Sequence, residues 1–173
     1  QETPYEELLE AYREQILVQT REGIDLLVAE TMLGVTECMA ALDAAASVCS
    51  LPVMCTLTVE SDGSLFFGGN IYEAVETLEE MGADAVGINC STGPDQLLSV
   101  VENMRKRVNI PLIVKPNAGI PVINAQGQPV YSMEAREFTA CMKHLVDAGA
   151  DIIGGCCGTT PEYIQKLHDT FTL

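Results

Sequence analysis

Five short apolar runs recur along the chain. Three open on a Gly-x-Asp pattern: GIDLLVAET from Gly23, GADAVGINC from Gly82 and GADIIGGCC from Gly149. Two open on proline: PVMCTLTV from Pro52 and PLIVKPNAG from Pro111. Each run is almost continuously apolar and includes β-branched residues, the pattern of a strand buried on both faces of a parallel sheet. Helical periodicity fills the intervals, predicting helices over Tyr5 to Arg21, Thr36 to Val48, Ile71 to Met81, Asp95 to Arg107, Met133 to Ala148 and Pro161 to Phe171. Pro94 and Pro161 suit a first helical turn, where a missing N–H costs nothing. Gly23, Gly82 and Gly149 fall just past helix ends, where a left-handed cap is favoured.

Strands alternating with helices build an α/β fold around a parallel sheet. No G-x-G-x-x-G follows a strand, so the dinucleotide-binding signature is missing and a (β/α)8 TIM barrel is the expected architecture. A complete barrel needs eight strands and roughly 250 residues. Residues 1–173 are therefore expected to form a single domain holding the last five β/α units, with about three units upstream of Gln1, which is not an initiator Met. No linker or low-complexity segment interrupts the pattern.

Charge and composition narrow the function. Nine Lys and Arg stand against 25 Asp and Glu, a net charge of −16, and such a surface repels phosphate backbones; nucleic-acid binding is not expected. No apolar run reaches the 18 residues of a membrane span, and no signal-like segment opens the chain. The seven cysteines are odd in number and sit largely within apolar runs, so a cytoplasmic location with reduced thiols is expected.

In barrel enzymes chemistry gathers where strands end. Asp25, Asp84 and Asp151 lie at strand beginnings and are expected to serve turns and stability. The strand ends offer Glu30-Thr31, Thr56 to Glu60, Asn89-Cys90, Lys115-Pro116-Asn117 and Gly154 to Cys157. Cys90, Cys156 and Cys157 thus converge at one mouth from two strands. Adjacent strand residues point to opposite sides, so Cys156 and Cys157 act together only if the chain turns, a freedom Gly154, Gly155 and Gly158 supply. Position alone leaves three readings open: a metal site, a redox thiol pair, or packing by small apolar side chains. Cys38, Cys49, Cys55 and Cys141 read as structural. Glu30 suits a rim salt bridge, Asn117 a turn, and Asn89 an orienting role behind Cys90. Ser91, Thr92, Gly158 and Thr159 lie near helix N-termini, where backbone N–H groups can receive a carboxylate. Lys115 suits packing or an ion pair; its alternative is the nucleophile of a Schiff-base aldolase barrel. Gly119 to Ser132 is long for a compact domain and reads as a cover over the site.

The motifs GINCSTGP (87–94), KPNAGIP (115–121) and GGCCGTTPEYI (154–164), with AET at 29–31, resemble the homocysteine S-methyltransferase family across essentially the whole chain. The Gly158-Thr159-Thr160-Pro161 stretch is most similar to the homocysteine-binding modules of cobalamin-dependent methionine synthases. The resemblance implies a (β/α)8 barrel with Cys90, Cys156 and Cys157 binding one Zn2+. It implies that Glu30 holds the substrate's amino group. Asn117 is implied to bind substrate, or to touch zinc when homocysteine is away. The implied reaction is methyl transfer to homocysteine, giving methionine. The implied donor is methylcobalamin on a separate domain or protein, or a small onium compound. A thiol of pKa near ~8.5 is mostly protonated at neutral pH, and zinc would ionise it. Two further expectations stand beside this one. A five-unit fragment could bind zinc or homocysteine without turnover, and its open sheet edges invite a homo-oligomer.

Overall fold

The computed structural model describes residues 3–171. Helix α1 (Tyr5–Arg21) precedes β1 (Leu27–Met32), followed by α2 (Val35–Val48), β2 (Val53–Leu57), α3 (Ile71–Glu80) and β3 (Ala85–Cys90). After a short 3-10 turn come α4 (Leu98–Arg105), β4 (Leu112–Pro116), a hairpin of β5 (Pro121–Ile123) and β6 (Pro129–Tyr131), α5 (Ala135–Asp147), β7 (Ile152–Ile153) and α6 (Pro161–Phe171). Strands β1, β2, β3, β4 and β7 form one parallel sheet in that order. This is the sequential order of a β/α barrel, and all five expected strands are present.

One face of the sheet carries the core. Leu27, Ala29, Val53, Cys55, Leu57, Val86, Ile88, Leu112 and Val114 pack with the buried side of the helices, including Leu78, Val101 and Leu145. Residues alternate along each strand, so Val28, Glu30, Met54, Thr56, Gly87, Asn89, Ile113 and Lys115 belong to the other face. The expectation that every strand is buried on both faces fails at the edges: Val28 is 43% exposed and Ile152 36%. Five strands do not close on themselves, so the second face of the edge strands meets solvent among the described residues.

Glycines close three of the helices: Gly23, Gly82 and Gly149 follow α1, α3 and α5 with φ of +78°, +93° and +112°. Helix α3 is capped by the Asn70 side chain, which accepts from Glu73 N at 3.0 Å. The helix expected over Asp95 to Arg107 is divided. Residues Pro94–Gln96 make a 3-10 turn, and buried Leu97 pins the junction before α4 begins. The expected long loop after β4 contains the β5–β6 hairpin, turned by Asn124, whose Oδ1 accepts from Gln126 N and Gln128 N at 2.9 Å each.

Two of the three acidic residues expected at strand beginnings, Asp84 and Asp151, act within the scaffold. Asp84 Oδ2 accepts from Val53 N at 2.8 Å, joining the starts of β3 and β2. Asp151 Oδ2 accepts from Leu112 N at 2.9 Å and pairs with Arg105 at 3.0 Å, joining the starts of β7 and β4. Asp151→Ala should lower stability by roughly 1–2 kcal/mol, the usual effect of removing such a bond. Urea unfolding checks the loss, and metal content of the folded fraction should not change.

Candidate metal centre

Backbone strain concentrates at the C-terminal end of the sheet. Thr31, Cys90 and Ser91 are the non-glycine residues with positive φ among the described ones, at 59°, 62° and 65°. Left-handed backbone is uncommon for such residues and persists only where the surroundings enforce it. At β3 the pair Cys90-Ser91 swings the chain away from the extended path, so Cys90 leaves the strand alternation. At β1 the register shifts between Ala29 and Met32, a bulge that carries Glu30 and Thr31.

The third contributor is the turn after β7. Cys156 N donates to Pro116 O at 2.8 Å, and Ala118 N to Cys157 O at 2.9 Å, so the turn is bonded to the end of β4. Thr159 closes it from below, its N and Oγ1 donating to Cys156 O at 3.2 and 2.7 Å. A Cβ on Gly155 would come within 2.5 Å of the Thr159 side chain, which explains that glycine. The turn brings the adjacent cysteines to the same side. Cys90 Sγ lies 3.7 Å from Cys157 Sγ, and Cys156 Sγ 4.0 Å from Cys157 Sγ, with all three sulfurs within 4.8 Å of one another. Tetrahedral zinc with Zn–S of ~2.3 Å sets its sulfurs about 3.8 Å apart. The donor set and spacing therefore fit zinc with one ligand position left over.

Two buried asparagines hold the three turns in place. Asn89 is 1% exposed. Its Oδ1 accepts from Thr31 N at 2.9 Å and from Thr56 Oγ1 at 2.7 Å, while Nδ2 donates to Thr31 Oγ1 at 2.6 Å and to Cys156 Sγ at 3.8 Å. Asn117 is 4% exposed; its Nδ2 donates to Ser91 O at 3.2 Å and its Oδ1 accepts from Cys157 N at 3.0 Å. Asn117 thus joins the Cys90 turn to the Cys157 turn, and both ends of its amide are bonded within the protein.

The electrostatics oppose ionisation without a cation. Burial pushes the Cys90 thiol up to about 12, and the neighbouring thiols Cys157 and Cys156 add to the rise. Lys115 on β4 forms an ion pair with Glu30 on β1. Ser91 Oγ accepts from Val59 N at 2.9 Å, so its side chain serves the loop after β2. Thr92 Oγ1 is buried with no partner among the described residues. Gly158 (φ +80°) lies under the Tyr131 ring; a Cβ there would come within 2.3 Å of it. Tyr131, raised by burial and then by hydrogen bonding to Cys157, reaches the centre from the hairpin. Thr31 and Thr56 stood among the strand-end residues without a role, and Tyr131 lay unnamed within the expected cover loop. No local motif marks them, and only the glycine after Cys157 hints at an aromatic neighbour.

The fold and the three-thiol mouth define a class: β/α-barrel proteins with a cluster of thiols spaced to accept a metal ion at the C-terminal end of the sheet. The profile described as homocysteine S-methyltransferase matches residues 1–171, and the chain belongs to that family. It is 32% identical over 171 residues to the methionine synthase of Mycobacterium leprae (strain TN), covering 95% of this chain and 14% of that protein. Against the methionine synthase of Mycobacterium tuberculosis (strain ATCC 25618 / H37Rv) it is 31% identical over 170 residues, again covering 95% and 14%. The chain thus spans about one-seventh of the length of these relatives. Among solved structures, the apo homocysteine methyltransferase MmuM of Escherichia coli superposes with a TM-score of 0.78 at 24% identity, covering 97% of this chain and 57% of that one. The metallated form of the same protein gives 0.75. These structures share the barrel fold.

Asn89→Ala should destabilise the chain by roughly 2–3 kcal/mol, because it strands the buried Thr56 hydroxyl and the Thr31 N–H. Chemical denaturation measures the loss; a change below ~0.5 kcal/mol would remove Asn89 from its place as the organising residue.

Proposed function

We propose that this chain binds homocysteine through a zinc ion held by Cys90, Cys156 and Cys157, and presents its sulfur for methylation to methionine. The spacing of the three sulfurs is the single observation that carries the reading. A zinc ion there would keep the substrate thiol ionised at neutral pH, where a free thiol is mostly protonated.

The chain's own residues supply the rest. Asn89 and Asn117 hold the three cysteine turns in register, so the site is formed before substrate arrives. Glu30 receives the substrate ammonium. The backbone N–H groups around Ser91 and Thr92 and that of Gly158 receive the carboxylate. Tyr131 closes the site over Gly158 and Cys157. The homocysteine sulfur attacks the donor methyl carbon. The new C–S bond forms as the carbon–donor bond breaks, and its electron pair leaves with the donor. The thiol proton has already passed to solvent on binding. The likeness to methionine synthases supports methylcobalamin, carried by another domain or protein, as the donor. No helix among the described residues is long and apolar enough to cross a membrane, in keeping with a cytoplasmic location. The Schiff-base alternative is disfavoured by the Glu30 carboxylate on Lys115, since a nucleophilic lysine needs apolar or cationic surroundings.

Purified protein should hold about one zinc per chain. Cys90→Ala, Cys156→Ala or Cys157→Ala should abolish it, whereas Cys141→Ala, remote from the mouth, should retain it. Elemental analysis decides; full zinc in Cys156→Ala would end the assignment.

Zinc affinity should also rise with pH. The metal-bound form holds thiolates, and the free form holds Cys90 protonated up to about pH 12. Each proton released contributes tenfold per pH unit, so Cys90 alone predicts at least that slope throughout the neutral range. Chelator competition at several pH values measures it, and a flat profile contradicts the scheme.

A further inference from the structure

Lys115 and Glu30 lie 85 positions apart in sequence and three strands apart in the sheet. The lysine stem leaves β4 and runs against Gly154 of the Cys156-Cys157 turn. A Cβ on Gly154 would stand 3.3 Å from Lys115 Cγ and 3.5 Å from Cδ. Its ammonium then crosses in front of β2 and β3 to the Glu30 carboxylate on the β1 bulge. Glu30 is in turn fixed by Thr31, whose left-handed backbone is held by Asn89. The backbone that carries Glu30 is held in place, and its counter-ion sits on a flexible four-carbon stem. The side chains are 51% exposed at Glu30 and 23% at Lys115, so water and solutes reach the pair. Half-exposed ion pairs are weak and exchange readily.

We infer that Lys115 is a resident counter-ion that a substrate ammonium must displace from Glu30, so that Glu30 selects thiols bearing an α-amino group and Lys115 tempers that selection by competing for the same carboxylate. This rests on the reading that Glu30 receives the substrate ammonium. An amino-acid thiol replaces one ammonium by another, and the carboxylate stays compensated throughout. A thiol without an amino group leaves the Lys115–Glu30 pair closed and gains nothing from it. Two ammonium groups on one carboxylate at close range repel each other, which favours exchange over sharing.

The test uses the full chain loaded with Co2+, whose thiolate charge-transfer absorption reports sulfur binding without turnover. Two ligands are titrated: homocysteine, and 4-mercaptobutyrate, which has the same thiol and carboxylate but no amino group. Lys115→Met keeps the stem over Gly154 and removes the charge. It should bind homocysteine about three- to fivefold more tightly, while 4-mercaptobutyrate changes less than about twofold. Lys115→Arg should restore the wild-type preference. Equal shifts for both ligands, or weaker homocysteine binding in Lys115→Met, overturn the exchange. Glu30→Gln separates the two levels. It should erase the wild-type preference for homocysteine, and a retained preference would instead show that Glu30 does not meet the ammonium at all. Unaltered Co2+ uptake shows that each variant keeps its centre.

Discussion

The side-chain amide of Asn89 is the joint on which the mouth of this sheet depends. It is buried and bonded at both ends, and it ties β1, β2, β3 and the turn after β7. Thr31, Cys90 and Ser91 adopt left-handed backbone that would relax if unsupported. Asn89 sits between them in space, holding Thr31 directly and preceding Cys90 in the chain. Asn117 repeats the device one strand over, joining the Ser91 carbonyl to the Cys157 N–H. Amides suit this task because each offers donors and an acceptor without adding charge beside three thiols.

Charge then decides what the mouth can hold. Burial first, and then the neighbouring thiols, push the Cys90 thiol up and oppose its ionisation. A divalent cation reverses the balance, turning mutual repulsion into shared attraction. The net charge of −16 makes the whole molecule welcoming to cations, but only this cluster presents sulfur donors at tetrahedral spacing among the described residues. The Glu30–Lys115 pair lies at the same end of the sheet, its lysine stem running against Gly154 of the Cys156-Cys157 turn.

Much of this was legible in the sequence. Nearly continuous apolar runs marked all five strands, and Gly-x-Asp openings marked three of their starts, because buried parallel strands and helix caps impose composition locally. The bottom-face role of Asp84 and Asp151 followed from position, and so did convergence of the cysteines at strand ends. The hairpin after β4 was not legible, since three-residue strands around a polar turn carry little periodicity. The broken start of α4 was equally hidden, because it depends on where Leu97 finds its pocket.

What the chain order determined by itself is the alternation of elements, and hence which residues lie at the mouth. Hydrophobic periodicity and caps are local properties, set within a few residues. What only the tertiary structure decided is how those residues are used. Asn117 bridges two cysteine turns, Lys115 closes on Glu30 from three strands away, Tyr131 reaches Cys157 from the hairpin, and the edge strands leave one face open. Each is a contact between segments tens of residues apart, fixed by sheet order and by the strained turns that only packing can enforce.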